Sequence, residues 1–275
     1  MEGQITKILS NLYFITSSNR VYECSARGKF RHQKITPVVG DYVIFNESEK
    51  YITEILPRKN FLIRPLVSNI DQGVIVTSLS SPDFSTNLLD KLILIAEYNK
   101  ITPIICITKE DLLNDNKKEH FTSIINYYRK IGYLVLYNTE LDDIKKLFKD
   151  KTTVFMGQTG SGKSTLLNKL DSNLNLETDE ISKALGRGKH TTRFVQLLSM
   201  FDGKVLDTPG FSSIDLSTIN DEDIGWGFIE FKNHECKFRD CKHINEQSCA
   251  VKEAVESGDI LDSRYENYKK FISGR

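Results

Sequence analysis

Three glycines, a lysine and a serine are spaced to hold a polyphosphate. The run Gly157-Gln158-Thr159-Gly160-Ser161-Gly162-Lys163-Ser164-Thr165 follows the apolar stretch 153–156 and leads into Leu166-Leu167-Asn168-Lys169-Leu170. Gly157, Gly160 and Gly162 allow the backbone to curl with its N–H groups turned inward, making a concavity for phosphate oxygens. A helix opening at Lys163 adds the positive end of its dipole. Lys163 supplies a point charge for the outer phosphates, and the Ser164 hydroxyl suits Mg²⁺. A glycine-rich turn without a ligand is the bland alternative, but a strand before and a helix after argue against it. The chain is expected to bind a nucleoside triphosphate.

Two further motifs bear on which nucleotide. Asp207-Thr208-Pro209-Gly210 closes the apolar stretch 204–207. A carboxylate there falls beside Mg²⁺, and the Gly210 N–H can reach a γ-phosphate. Thr108-Lys109-Glu110-Asp111 follows Pro103-Ile104-Ile105-Cys106-Ile107. The Asp111 carboxylate can accept two hydrogen bonds from guanine, whereas adenine offers no such pair. The Lys109 stem can lie over the base. The pattern is similar to Asn-Lys-x-Asp with Thr in place of Asn, which loses a carboxamide and leaves one tether open. A polar strand-to-helix turn is the alternative. The expected nucleotide is GTP or GDP.

The guanine motif precedes the phosphate loop by nearly fifty residues, the reverse of ordinary GTPases. Such motifs sit at the carboxyl ends of parallel strands on one sheet edge, so joining the old termini and cutting elsewhere preserves the site. A circularly permuted GTPase is expected. Between the loop and Asp207 lies Gly186-Arg187-Gly188-Lys189-His190-Thr191-Thr192-Arg193. A switch threonine must reach Mg²⁺, and Thr192 is favoured with Thr191 close behind. Ser164, Thr192 and Asp207 are the expected Mg²⁺ ligands. Phe211 stands where Ras-like enzymes carry a water-orienting Gln. Hydrolysis is therefore expected to be slow or served by another group. His190 is the candidate, the alternative being a solvated loop histidine.

Cys236, Cys241, His243 and Cys249 are spaced Cys-x4-Cys-x-His-x5-Cys. Four such ligands on a short stretch suit one structural, tetrahedral Zn²⁺ that helps fold a segment too small for its own core. His234 lies near enough to stand in for His243. Cys24 and Cys106 sit in apolar strands and are expected in the core.

These residues need elements to place them. Residues 4–8, 12–16, 20–24, 41–45 and 51–56 are rich in β-branched and aromatic side chains between Asn, Gly and Ser clusters, so five short strands forming an OB-fold barrel are expected. Residues 27–34 interleave basic and aromatic groups around Phe30, either an RNA-contacting loop or a solvated one whose Phe30 packs inward. From Asp71 strands alternate with helices: strands near 74–77, 101–107 and 133–137, helices near 88–98, 117–130 and 142–149. Residues 194–200 and 204–207 flank an Asp202-Gly203 turn. Helical runs near 250–257 and 263–272 follow the Cys/His cluster. The expected fold is α/β: an OB-fold β-barrel over 1–66, a circularly permuted P-loop GTPase domain over 67–215 and a zinc-binding helical domain over 216–275.

The 275 residues carry 37 basic and 37 acidic side chains, which excludes a strong global bias toward nucleic acid. Residues 1–66 hold ten basic against six acidic groups, a surplus compatible with phosphate contacts. No apolar run approaches membrane-spanning length, no signal-peptide pattern opens the chain, and five cysteines do not form a disulfide framework. A cytoplasmic monomer away from membranes is expected.

Together these motifs resemble the RsgA family of small-ribosomal-subunit biogenesis GTPases, also called YjeQ or EngC. The likeness rests on the strand-rich N-terminal stretch, Thr108-Lys109-Glu110-Asp111 ahead of residues 157–165, Gly-Arg-Gly-Lys-His-Thr-Thr, Asp-Thr-Pro-Gly-Phe and the Cys/Cys/His/Cys cluster. The resemblance implies a late-assembly factor acting on the small ribosomal subunit and its rRNA. It also implies that ribosome binding stimulates GTP hydrolysis, that turnover releases the factor, and that His190 takes part in catalysis. The residues alone also admit a nucleotide-gated RNA-binding switch, a permuted GTPase acting on the large subunit, or an ATPase.

Overall fold

The N-terminal strands are rich in β-branched and aromatic residues, and in two of them, Leu12–Ser17 and Tyr42–Asn46, burial alternates along the strand. A computed structural model describes residues 1–28, 30, 35–63, 65–174, 195–207, 216 and 219–274, with Asn173 and Asp207 by backbone alone. In chain order the first strands are β1 (Glu2–Leu9), β2 (Leu12–Ser17), β3 (Arg20–Ala26), β4 (Tyr42–Asn46) and β5 (Tyr51–Ile55). β1 pairs antiparallel with β2 and β4, β2 with β3, and β4 with β5, while β3 and β5 run parallel. The circuit β1–β2–β3–β5–β4–β1 closes a five-stranded, OB-like barrel. Ile5, Ile15, Cys24, Phe30, Val43, Phe45 and Ile52 fill it. Phe30 is thus a core residue, as the inward-packing alternative had it; Lys29 and residues 31–34 lie outside the described residues.

The next strands are β6 (Phe61–Ile63), β7 (Leu66–Ser68) and β8 (Gln72–Ser78), followed by helix α1 (Thr86–Tyr98), β9 (Thr102–Thr108), α2 (Asp115–Lys130), β10 (Leu134–Tyr137) and α3 (Leu141–Lys146). Then come β11 (Thr152–Met156), α4 (Lys163–Leu170), β12 (Gln196–Met200), β13 (Gly203–Asp207), α5 (Ala250–Glu256) and α6 (Asp262–Ser273). The β6–β7 hairpin had no expectation in the sequence. Its register is held by Asp41, whose buried carboxylate takes two bonds from Arg58 (2.7 and 2.8 Å) and one from the Ser68 hydroxyl (2.5 Å).

The chain divides into two units. One comprises Met1–Gly73, Glu140–Phe155 and Ser164–Phe211; the other comprises Val74–Thr139, Met156–Lys163 and Ser212–Arg275. In the first, β11 pairs parallel with β13, β13 antiparallel with β12, and β12 antiparallel with β1 at Lys7 and Gln196. Lys204 of β13 also donates to Gln4 Oε1 on β1. The hairpin turn is Phe201-Asp202, since Met200 pairs with Gly203 and both turn residues have positive φ. That is one residue earlier than the Asp-Gly pair suggested. Gly203 serves a different purpose: a Cβ there would stand 1.8 Å from the Phe148 carbonyl oxygen, so the strand can pass only as glycine.

In the second unit, β10, β9 and β8 lie side by side, β9 and β10 in parallel. Helix α1 is capped by the Ser85 hydroxyl, which accepts from the Leu88 N–H. Helices α1, α5 and α6 share a core with the turns Asp221–Gly227 and Ile229–Asn233: Leu94, Ile224, Phe228, Phe231, Val251, Ile260 and Phe271 are buried together. Cys106 is buried in β9 and Cys24 in the barrel. Among the described residues no helix is long and apolar enough to cross a membrane.

Candidate nucleotide site and metal centre

The loop after Met156 has the backbone that its glycines permit. Gly157, Gly160 and Gly162 all have positive φ, at 137°, 82° and 99°, where a side chain is strained. At Gly157 space is decisive as well: a Cβ would lie 2.3 Å from the Val76 carbonyl oxygen. Lys163 folds back over the loop, its ammonium donating to the carbonyls of Gly157 (2.8 Å) and Gln158 (2.7 Å). The charge is thereby held at the mouth of the concavity. Ser164 and Thr165 follow directly as the first turn of α4. Thr159 is exposed, whereas Ser161 is fully buried and its hydroxyl has no partner among the described residues.

The guanine motif is joined to this loop by two side chains. Thr108, almost fully buried at the end of β9, donates from Oγ1 to the Ser161 carbonyl at 2.7 Å. The threonine hydroxyl thus ties the end of β9 to the backbone of the glycine-rich loop. Lys109 has a left-handed backbone, φ 59°, which turns its side chain back toward the loop. Its ammonium donates to the Gly160 carbonyl at 2.9 Å and to the Ser81 carbonyl. Glu110 and Asp111 open the turn Glu110–Leu112, with Asp111 exposed to solvent. Such a carboxylate is free to accept from a planar base.

Asp207 ends β13. His190, Thr191, Thr192, Gly210 and Phe211 lie outside the described residues. Serine and aspartate oxygens are hard donors, which is the chemistry Mg²⁺ requires.

The ligand atoms of Cys236, Cys241, His243 and Cys249 all lie within 4.8 Å of one another. Cys236 Sγ is 3.7 Å from Cys249 Sγ, and His243 Nδ1 is 3.4 and 3.3 Å from those two sulfurs. A tetrahedron with Zn–S bonds of about 2.3 Å has edges of about 3.8 Å, so this donor set fits one zinc ion. Burial lowers the His243 imidazole below its ordinary range, which keeps its ring nitrogen available as a lone pair. Burial alone would raise the Cys236 thiol, but N–H groups of Val251 and Ala250 and the neighbouring thiols outweigh it and leave it lowered. His234 is not among the converging atoms.

Sequence reasoning missed what shapes this centre. The Glu246 carboxylate accepts from the N–H groups of Lys242 (2.8 Å) and Ile244 (2.9 Å), bending the chain around His243. Tyr265 and Tyr268 on α6 donate to the carbonyls of His243 and Lys242. It also missed Ser81 and Gly160 as acceptors for Lys109, because a backbone carbonyl leaves no trace in residue type.

Known proteins and solved structures match this chain over nearly its whole length. Residues 2–52 match the family model of the RsgA N-terminal domain, and residues 55–217 match that of the RsgA GTPase. Proteins of Enterococcus faecalis and Bacillus subtilis, each named small ribosomal subunit biogenesis GTPase RsgA, are both 48% identical to the chain. The first comparison covers 99% of this chain and 94% of the relative, the second 99% and 96%. A crystal structure of YloQ, described as a circularly permuted GTPase, superposes with a TM-score of 0.83 at 42% identity, covering 99% of this chain and 94% of that one. YjeQ from Thermotoga maritima superposes with a TM-score of 0.85 at 33% identity, covering 100% and 99%. With an OB-like barrel, a circularly permuted GTPase domain and a Cys3His cluster, the chain belongs to the RsgA GTPase family.

Proposed function

We propose that the protein is a Mg²⁺-dependent GTPase that hydrolyses GTP to GDP and phosphate while acting in maturation of the small ribosomal subunit. The observation that carries this is the joining of the guanine motif to the phosphate loop through Thr108 and Lys109. Base recognition and phosphate binding then share one rigid frame. The loop of Gly157, Gln158, Thr159, Gly160, Ser161, Gly162, Lys163, Ser164 and Thr165 holds the phosphates. Thr108, Lys109, Glu110 and Asp111 select the base, Asp111 by its paired hydrogen bonds.

Ser164, Thr192 and Asp207 would hold Mg²⁺, which when bound neutralises charge on the β- and γ-phosphates. Gly210 reads the γ-phosphate and His190 supplies the polar group that Phe211 cannot. Cys236, Cys241, His243 and Cys249 hold one structural Zn²⁺. On this reading the barrel over 1–66 meets rRNA, residues 67–215 turn over GTP, and 216–275 form the zinc domain of a cytoplasmic monomer. Names of relatives matching nearly the whole chain support the ribosomal role.

The test is GTP hydrolysis by the purified protein, alone and with isolated small or large subunits, beside His190→Ala. Stimulation by the small subunit alone, lost in the variant, is the expected result. Stimulation retained in the variant removes His190 from the mechanism. Equal rates with either subunit or none would overturn the ribosomal role, and preferential ATP binding in competition would overturn the role of Asp111.

A further inference from the structure

Helix α1 carries contacts to the C-terminal module on one side and leads back to the guanine motif on the other. Arg264 of α6 is fully buried and faces Asp90 of α1, also fully buried, with Nη1 to Oδ1 at 2.8 Å. Its other N–H groups reach both oxygens of Glu230 and the Gly227 carbonyl, each at 2.8 Å. The guanidinium also lies over the Phe228 ring, 4.4 Å from its centroid. One turn along α6, Asn267 Nδ2 donates to Asp90 Oδ2 (2.7 Å) and to Thr86 Oγ1 (3.3 Å), while its Oδ1 accepts from Asn87 (3.1 Å). Tyr128 completes the set by donating to Asp90 at 2.5 Å. The first two turns of α1 are thereby fixed by α6, because moving Asp90 would leave charges buried without partners.

Ahead of those turns runs the loop 79–85. It is pinned at its start by Ser78, whose hydroxyl accepts from the Ser80 N–H, and at its end by the Ser85 cap. Midway, the Ser81 carbonyl receives the Lys109 ammonium, which also holds Gly160 of the phosphate loop. At the far end of the path, Tyr265 and Tyr268 fasten α6 to the residues around the Cys/His cluster.

We propose that Arg264 and Asn267 are positioning residues for guanine recognition: by fixing the start of α1 they hold the Ser81 carbonyl where it aims Lys109 across the base site. The inference rests on the assignment of Lys109 and Asp111 to guanine made above. It extends that assignment to a helix that touches no nucleotide.

The test is a double-mutant cycle on the full chain, reading GDP affinity by fluorescence of a labelled GDP. Asn267→Ala should weaken GDP by roughly 2- to 30-fold. Lys109→Ala should weaken it at least as much, and the double variant should be no weaker than Lys109→Ala alone. Additive losses, or an unchanged affinity in Asn267→Ala, would overturn the inference. An unchanged affinity in Lys109→Ala would instead overturn the guanine assignment beneath it. Melting curves establish that each variant is folded at the assay temperature. Should Asn267→Ala not fold, Asn87→Ala removes one bond of the set and enters the same cycle with the same outcomes. Amide exchange gives a readout that a purely structural role leaves still: residues 79–85 should exchange faster in the α6 variant, and unchanged exchange there counts against the inference.

Discussion

The barrel interior is made of Ile5, Ile15, Val43, Phe45 and Ile52, all at most 1% exposed. The core that the C-terminal module shares with α1 instead contains Arg264, Asp90 and Glu230, none more than 3% exposed, and a Cys/His cluster a short way along it. The barrel core is built of apolar contacts. The other core adds to its apolar residues a few charged and metal-ligating groups that need specific partners. A barrel of this kind should lose stability gradually with each truncation, whereas the module should fail in steps as ligands or charge partners are removed.

The sharpest way to break that contrast is to take away the metal ligands. Structural zinc contributes about 10–16 kcal/mol in small zinc-dependent folds. Cys249→Ser should therefore disorder α5 and α6 while barrel amides keep their protection, as followed by hydrogen exchange. Loss of protection in the barrel as well would show that the two regions are not separable. Next in size is Arg264→Ala, which leaves two buried carboxylates uncompensated and should cost about 3–5 kcal/mol. Trp226, the single tryptophan and half exposed in the turn Asp221–Gly227, reports that unfolding by its fluorescence. A loss below 1 kcal/mol, on the order of an exposed ion pair, would remove the charges from the account.

Ile5→Ala should cost the barrel about 2–5 kcal/mol with no change in the metal centre, measured by denaturant unfolding and zinc content. The smallest effect belongs to Arg27→Ala. Its partner Glu49 is 2.6 Å away, but both side chains are about half exposed, so less than about 1 kcal/mol is expected. A larger loss in the same unfolding assay would mean that surface charge, too, holds the barrel.

The same contrast governs how far each region could be read from its residues. The five barrel strands and the phosphate loop were legible because β-branched and aromatic content between turn residues, and glycine spacing, are local signals, and β1 to β5 fall where those signals stand. The Cys/His cluster was legible from spacing over fourteen residues. Arg264 was not, because its partner Asp90 lies 174 residues away and each charge alone looks like a solvated surface group. The β6–β7 hairpin escaped notice for a similar reason: Asp41, 17 residues upstream of Arg58, sets its register. Aspartate before Gly203 pointed to an Asp-Gly turn, yet that glycine is required by the Phe148 carbonyl, a neighbour no local pattern contains.

The pairing of β12 with β1 has a consequence for how the chain is made. One edge of β1 is shared: Glu2, Gly3 and Gln4 pair with β4, while Lys7 pairs with Gln196. β4 leaves the ribosome soon after β1, so the barrel can close early around the first part of that edge. β12 follows Lys7 by nearly 190 residues, which at typical elongation rates is roughly ten to forty seconds later. For that interval the second half of the β1 edge is an open template for any strand that arrives first.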